Sequence, residues 1–465
     1  MRKKLLELLL CCSLGAAAQQ SQLMVISDPH VLAPELVEGN VPAGELKLTE
    51  HSPAIVDALL DSARRVRPAA LLIAGDLTYN GERASHEWLA DRLKSLRADG
   101  VPTFVVPGNH DVRNPHAVGG RTVTSDEFAA IYGDCGYVAA TSRDTASLSY
   151  VAPLLPGVTL LAIDSNRYDE NRSEAWGDTK TVYRNAGRVK PSTRRWASAQ
   201  IAEARSRGDR VVVMMHHHLL EHIDGQARLL PNYIVEDRDK VAEALAGADL
   251  VLTGHLHITD AVSLPPAPPK GGVLEVATGS ATTWPFPYRV IEIGRREDAR
   301  HGQLFTTIFL ADNPECPWSE LGQRRLARGV DVLAAMGAKK VWSRMGGMLQ
   351  RAAPLLSLAG VKAEDLPSNA DQLKSLVLQY LREPLTEALF SVTRGGEDPQ
   401  VGRANLEAIS DNVLNMLADM VGDGGAELIG GWLLERVEPL MRSALLDLND
   451  VGTDRERRTE DHVSR

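Results

Sequence analysis

Cysteine is scarce in this chain. The four among 465 residues are Cys11, Cys12, Cys135 and Cys316, a spacing that excludes a disulfide-stapled scaffold. The first two sit in an apolar leader. Cys135 and Cys316 remain, either to pair in an oxidising compartment or to serve as small buried side chains, and the second is expected. Positive charge is also short: 51 Lys and Arg stand against 61 Asp and Glu, for a net charge of −10. That argues against a nucleic-acid partner gripped by a basic surface. It leaves room for a phosphorylated substrate, because bound metal ions supply positive charge locally. Long hydrophobic runs are missing too. The stretch from Leu5 to Leu14 is too short to span a bilayer, and no later segment is longer and equally apolar, so no transmembrane span is expected. What is present is globular material, 44% hydrophobic and 24% charged, long enough for one large core and a second.

The chain opens "MRKKLLELLLCCSLGAAAQQSQ". A basic start, a short apolar run marred by Glu7, and small residues ending at Ala18 have the outline of a secretory signal peptide over 1–18. A secreted or periplasmic protein is therefore expected. Lipid attachment at Cys11 or Cys12 is the alternative, disfavoured by the large residues before both.

From Leu23 to about Leu310, apolar runs of strand length alternate with helical patterns. The runs are "QLMVIS", "ALLIAG", "TFVVPG", "VTLLAID", "RVVVMM", "ADLVLTG" and "GVLEVATG". Between them, Pro53 to Arg65 and Glu82 to Leu96 read as amphipathic helices. This is the signature of βαβ units with mostly parallel, buried strands. Residues 165–190 form a long polar loop, and 264–272 a stiff Pro-rich one. Past residue 312 the pattern turns helical. Leu373, Leu376, Val377, Tyr380 and Leu381 share a helical face, as do Leu406, Ile409, Val413, Met416, Leu417 and Met420. A further helix is read from Leu428 to Leu445, interrupted near Pro439. The expected organisation is an α/β domain over 19–312, a helical region over 313–450 and a polar tail over 451–465. The helical stripes suit their own core, or a partner in the cell envelope.

In open α/β sheets ligands sit beyond the carboxyl ends of the strands, so the residue after each run matters most. "LMVIS" is followed by Asp28-Pro29-His30, "LLIA" by Gly75-Asp76, and "FVVP" by Gly108-Asn109-His110-Asp111. "VVVMM" leads into His216-His217-His218, and "LVLT" into Gly254-His255-Leu256-His257. Carboxylate oxygens suit hard cations and imidazoles suit transition metals. The set holds more donors than one tetrahedral ion uses. Two ions about 3.5–4 Å apart with a bridging carboxylate would employ them all. The glycines would let the backbone turn beneath the metals without a Cβ clash.

In this order the five blocks resemble the calcineurin-like metallophosphoesterase superfamily across roughly residues 24–290. The resemblance implies a two-sheet αββα sandwich with two metal ions at its edge. It places Asp28, His30, Asp76 and His257 on one ion and Asp76, Asn109, His216 and His255 on the other, with Asp76 bridging. The first His after the strand points to His216, with His217 as the alternative. Strand alternation puts His218 on the side of His216, where it would face the substrate, and His222 is expected at the surface. His110 would contact phosphate and act as general acid, steadied by Asp111. Asn109 and Arg113 would also meet the substrate. Tyr79 stands where one branch of the superfamily has a ligand, but that branch lacks the His of the first block, so here it is expected only to pack or hydrogen-bond. The implied cofactors are two ions of iron, manganese or zinc. The implied chemistry is hydrolysis of a small phosphodiester or phosphomonoester by a hydroxide held between them. A catalytically silent scaffold of the same fold is the alternative; it would be expected to lack one of these residues, and none is missing.

Overall fold

The computed structural model describes residues 22–42, 44–223, 225–264, 273–293, 304–313, 316–358, 366–394 and 399–422, with a few short stretches up to 435. The leader, most of the Pro-rich connection, the segment around Pro439 and the polar tail lie outside the described residues. Two compact units emerge. Among the described residues, one consists of residues 22–42 and 47–313, the other of 44–46 and the stretches from 316 to 435.

The first unit is an α/β sandwich of two mixed sheets. In chain order its strands are β1 (Gln22–Ile26), β2 (Ala70–Ile73), β3 (Thr103–Val105), β4 (Ser142–Arg143), β5 (Tyr150–Leu155), β6 (Val158–Ile163), β7 (Arg210–Met215), β8 (Leu250–Thr253), β9 (Asp260–Leu264), β10 (Val273–Ala277), β11 (Pro287–Glu292) and β12 (Leu304–Phe309). One sheet runs β12-β11-β1-β2-β3 and the other β4-β5-β6-β7-β8-β10-β9. Parallel pairing joins β1, β2 and β3. It also joins β6, β7, β8 and β10. Every residue of β7 is buried, and its Val-rich run explains why. With both faces covered, a strand reads as continuous apolar sequence rather than as alternation.

All seven apolar runs form strands, but the sheets are less parallel than expected. β4, β5, β9, β11 and β12 enter antiparallel. Their sequences hide them. β5 carries Pro153, next to a register shift at Pro153/Leu155. β11 carries Arg289, which is fully buried and spends its guanidinium on the carbonyls of Ala277 and Asp260.

Helix α1 (Ser52–Val66) starts with a proline in its first turn, buries Ile55, Val56, Leu59, Leu60 and Ala63, and ends where Arg67 turns left-handed (φ 49°). Helix α2 (Arg83–Ala98) buries Leu89, Leu93 and Leu96. Helix α3 (Pro191–Ser206) packs Ala197, Ile201 and Ala204 into a core shared with Val211, Val213 and Val251.

The second unit is helical: α4 (Trp318–Leu358), α5 (Ala370–Thr393) and α6 (Pro399–Val421). Leu381 and Ala388 of α5 meet Leu406, Ile409, Val413 and Leu417 of α6 in one cluster. Asn369 caps α5 by accepting from the Gln372 N–H. Pro384 lies inside α5, in a stretch whose apolar spacing alone reads as unbroken. No described helix is long and apolar enough to cross a membrane. Neither Cys135, which is buried, nor Cys316 is in a disulfide.

Candidate metal centre

The carboxyl ends of β1, β2, β3, β7 and β8 bring all five polar blocks to one place. The Asp28 N–H donates to Gly75 O at 3.1 Å, His30 N–H to Asp76 O at 3.0 Å, and Gly254 N–H to His216 O at 3.0 Å. Each site carboxylate then divides its two oxygens. Asp28 Oδ2 accepts from His255 N–H at 3.0 Å, and Asp76 Oδ1 from His110 N–H at 2.9 Å. The second oxygens face imidazoles. Asp28 Oδ1 lies 3.3 Å from His257 Nε2, 3.8 Å from His30 Nε2 and 4.0 Å from His216 Nε2. Asp76 Oδ2 lies 3.3 Å from His216 Nε2, 3.6 Å from His30 Nε2 and 3.9 Å from His110 Nε2. Asn109 Oδ1 is 3.1 Å from His216 Nε2.

These residues fit a pair of cations. Asp28 Oδ1 is buried and has no hydrogen-bond partner. His30 and His257 bring their Nε2 atoms within 3.2 Å of each other. Donor atoms of Asp28, His30 and His257 lie within 4.8 Å of one another, as do those of Asp76, His216 and His255. Unpaired lone pairs gathered in a dry site are expensive unless a positive charge is shared among them. The backbone is also held in an unusual shape. Asp28, His30, Asp76, His255 and His257 all have positive φ, between 41° and 71°. Non-glycine residues adopt that shape at a cost of roughly 1–3 kcal/mol each, and such outliers gather at functional sites. Two glycines leave room: a Cβ on Gly108 would sit 2.1 Å from Asp76 Oδ1, and one on Gly254 1.8 Å from Ser27 Oγ.

Hydrogen bonds assign the ring nitrogens. His216 Nδ1 meets Ala74 O at 2.8 Å. Its N–H is thereby placed on Nδ1, which leaves Nε2 facing the carboxylates, the arrangement that metal-binding histidines use. His255 Nε2 meets Asn232 O at 2.9 Å, which leaves Nδ1 as its donor. His217 has neither nitrogen to spare, with Nδ1 on Ser165 Oγ at 2.8 Å and Nε2 on Asn185 O at 3.0 Å. Between the two candidates, the geometry favours His216. Burial pushes the Asp28 carboxyl up, yet His257 and His216 hold it below the usual range. Burial works the same way on Asp76, and His216 and His110 reverse it more strongly. Burial depresses His255 to about 3 and His30 well below the ordinary imidazole value, so both are neutral and able to donate lone pairs.

The surrounding residues depart from expectation at Asp111, His218 and His222. Asp111 does not steady the His110 ring. Its carboxylate accepts from the N–H groups of Leu77, Thr78 and Gly108 at 2.7–3.0 Å and so binds the β2 turn to the β3 turn. The His110 ring is held instead by Tyr79 O, 2.5 Å from Nδ1, and by Asn80 Oδ1. The Arg113 guanidinium carbon lies 5.4 Å from the centre of the Trp176 ring of the polar loop. His218 does not face a substrate: it is fully buried, its Nδ1 accepting from Gln226 Nε2 at 3.1 Å. His222 is buried rather than exposed, 2.8 Å from Asp260 and 3.3 Å from Glu275.

His218, His222 and Glu275 also have donor atoms close enough to share an ion; Nδ1 of each histidine is hydrogen-bonded, to Gln226 and to Asp260, while the two Nε2 atoms are buried without a hydrogen-bond partner. Gln226 presents an N–H to His218 Nδ1, which places the imidazole proton on Nε2. Glu275 already accepts from Leu219, Leu220 and Thr253. Sequence reading missed Tyr183 and Asn185, both 2.6 Å from Asn109 Nδ2. It also missed Asn232 on His255. Tyr183 and Asn185 come from the polar loop and Asn232 from a single 3-10 turn, Pro231–Tyr233, and nothing in the composition of such connections says which strand end they will cover.

The chain belongs to the calcineurin-like phosphoesterase family, whose sequence model matches residues 21–259. Among solved structures it is similar to a dimetal phosphatase from Danio rerio, at 15% identity and a TM-score of 0.41, covering 62% of this chain and 99% of that one. It is also similar to the sulfate thiohydrolase SoxB from Thermus thermophilus in complex with glycerol, at 16% identity and a TM-score of 0.35, covering 66% of this chain and 59% of that one. No curated protein matches the sequence significantly.

Proposed function

We propose that this protein is an exported hydrolase that uses two metal ions to cleave a phosphodiester or phosphomonoester. The observation that carries the reading is the meeting of Asp28, His30, Asp76, Asn109, His216, His255 and the half-buried His257 in one cluster at the sheet edge. Asp28, His30, Asp76 and His257 would hold one cation, and Asp76, Asn109, His216 and His255 the other. When bound, such ions withdraw charge from phosphoryl oxygens and lower the pKa of water to about 7.

The rest is the work of side chains. Tyr79 O accepts from His110 Nδ1, so Nε2 is the atom that faces the cluster. In its imidazolium form it has a proton to give a leaving oxygen. Asp111 ties together the turns that carry Asp76 and Asn109. The positive φ at five of the seven ligand positions fixes the donors before substrate arrives, and preorganisation of this kind is what electrostatic catalysis needs.

Elemental analysis together with turnover of bis-p-nitrophenyl phosphate and p-nitrophenyl phosphate tests the proposal. The wild type is expected to hold two ions and cleave at least one ester, and the ratio ranks diester against monoester. Asp76→Asn is expected to lose both ions and activity; undiminished turnover in that variant would end the assignment. Export is supported by the basic start, the apolar run and the small residues before Ala18. Mass spectrometry of exported protein is expected to find an N-terminus at Gln19; an intact leader would overturn it.

A further inference from the structure

Resting on that functional reading, we infer that the Tyr183 hydroxyl is a substrate contact, donating a hydrogen bond to a phosphoryl oxygen of the bound ester. Tyr183 lies on the polar 165–190 segment. Its phenol oxygen accepts from Asn109 Nδ2 at 2.6 Å. The other acceptor for that amide is Asn185 Oδ1, also at 2.6 Å. Both Nδ2 hydrogens are therefore spent on the loop, and Asn109 Oδ1 is turned toward His216. With its oxygen used as an acceptor, the Tyr183 hydroxyl still has its own proton, and no described hydrogen bond uses it.

The ring is set between two imidazoles. Its centre is 6.0 Å from the His110 ring and 5.4 Å from the His116 ring, edge-on to each. The hydroxyl thus lies against the carboxamide of the second candidate cation site, on a ring set edge-on to the imidazole assigned to the leaving group. A phosphoryl group held by that cation and reached by His110 would lie beside it.

The segment that carries Tyr183 is pinned on each side. Arg184 N–H donates to Asn171 Oδ1 at 2.8 Å. Asn185 O meets the His217 ring, and a Cβ on Gly187 would stand 2.4 Å from that same ring. The hydroxyl is therefore placed by the fold and needs no loop closure.

The test uses full-length, metal-loaded protein and the variant Tyr183→Phe, which keeps the ring between His110 and His116. Inorganic phosphate binding is measured by calorimetry, metal content by elemental analysis, and kcat and KM with the better of the two nitrophenyl esters. The variant is expected to keep both ions and to bind phosphate about tenfold or more weakly, the loss typical of one hydrogen bond to a charged oxygen. Its kcat/KM should fall by a similar factor. Unchanged phosphate affinity overturns the contact. So does loss of an ion, because Tyr183 would then serve only to hold Asn109. A wild type that binds phosphate but cleaves neither ester defeats the functional reading while the affinity ratio still decides the tyrosine. A wild type that binds no phosphate overturns the contact itself.

Discussion

His222 shows how much one side chain does when it is buried between two acids. Burial alone would lower its pKa, but the hydrogen bond to Asp260 and the Glu275 carboxylate push it up to about 10. The folded state therefore holds a proton that the unfolded chain, titrating near 6.5, releases earlier. The resulting stability is fully present below pH 6.5 and is lost as pH rises through 10. His222→Gln is expected to cost about 3–5 kcal/mol at neutral pH, because it strands a buried negative pair. Urea unfolding from pH 6 to 10 checks this: the gap between wild type and variant should narrow as pH rises. His110 belongs to the other kind of residue. His110→Ala should lower turnover by ~10²–10⁴, the usual share of a general acid, while elemental analysis finds both ions in place. At this scale the candidate ligands were legible because each follows an apolar run, where a polar residue has little reason to be unless it is used. His222 was not legible, because a histidine four residues beyond His218 carries no periodic sign of burial. Nor was the role of Asp111, since sequence adjacency to His110 says nothing about which backbone amides its carboxylate will meet.

Among the elements, the strands with both faces buried announced themselves and the others did not. β7 reads directly from "RVVVMM", whereas β5 and β11 are broken to the eye by Pro153 and by the buried Arg289. Val213→Ala in β7 should cost roughly 1.5–3 kcal/mol, since the side chain is fully buried. The urea midpoint should fall with no change in slope. Gly254→Ala, in the turn after β8, should act differently. Its Cβ would also lie 2.4 Å from Asp28 Oδ2, so the turn must move. Metal content is expected to drop more than stability does; a variant that loads two ions normally would count against the close packing of that turn.

On the scale of the whole chain, the α/β unit and the helical unit were separable in sequence because their periodicities differ. Of the residues their spacing nominated, helices α5 and α6 bury Leu381, Leu406, Ile409, Val413, Met416 and Leu417 and leave Leu373, Leu376, Val377, Tyr380 and Met420 half-buried. What the helical unit does has no counterpart in that pattern, since an amphipathic stripe that forms a core leaves no separate mark for a partner. If two ions bind the folded chain alone, their free energy adds to its stability: about 2.7 kcal/mol for each site at a hundredfold excess over its dissociation constant. Dialysis against a chelator should therefore lower the melting temperature of the α/β unit, and zinc or manganese should restore it. A melting curve indifferent to both would mean that neither ion is held.

The split use of the two aspartates has a further consequence. One oxygen of Asp28 and one of Asp76 are latches, clasping the His255 and His110 amides across loops distant in sequence. Both clasps are made between groups of the chain itself. The cradle is therefore expected to assemble as the chain folds, so that a cation arriving afterwards would find a finished seat. Hydrogen exchange should find those two amides slow in chelator-treated protein, and one metal should replace another without the loops unclasping.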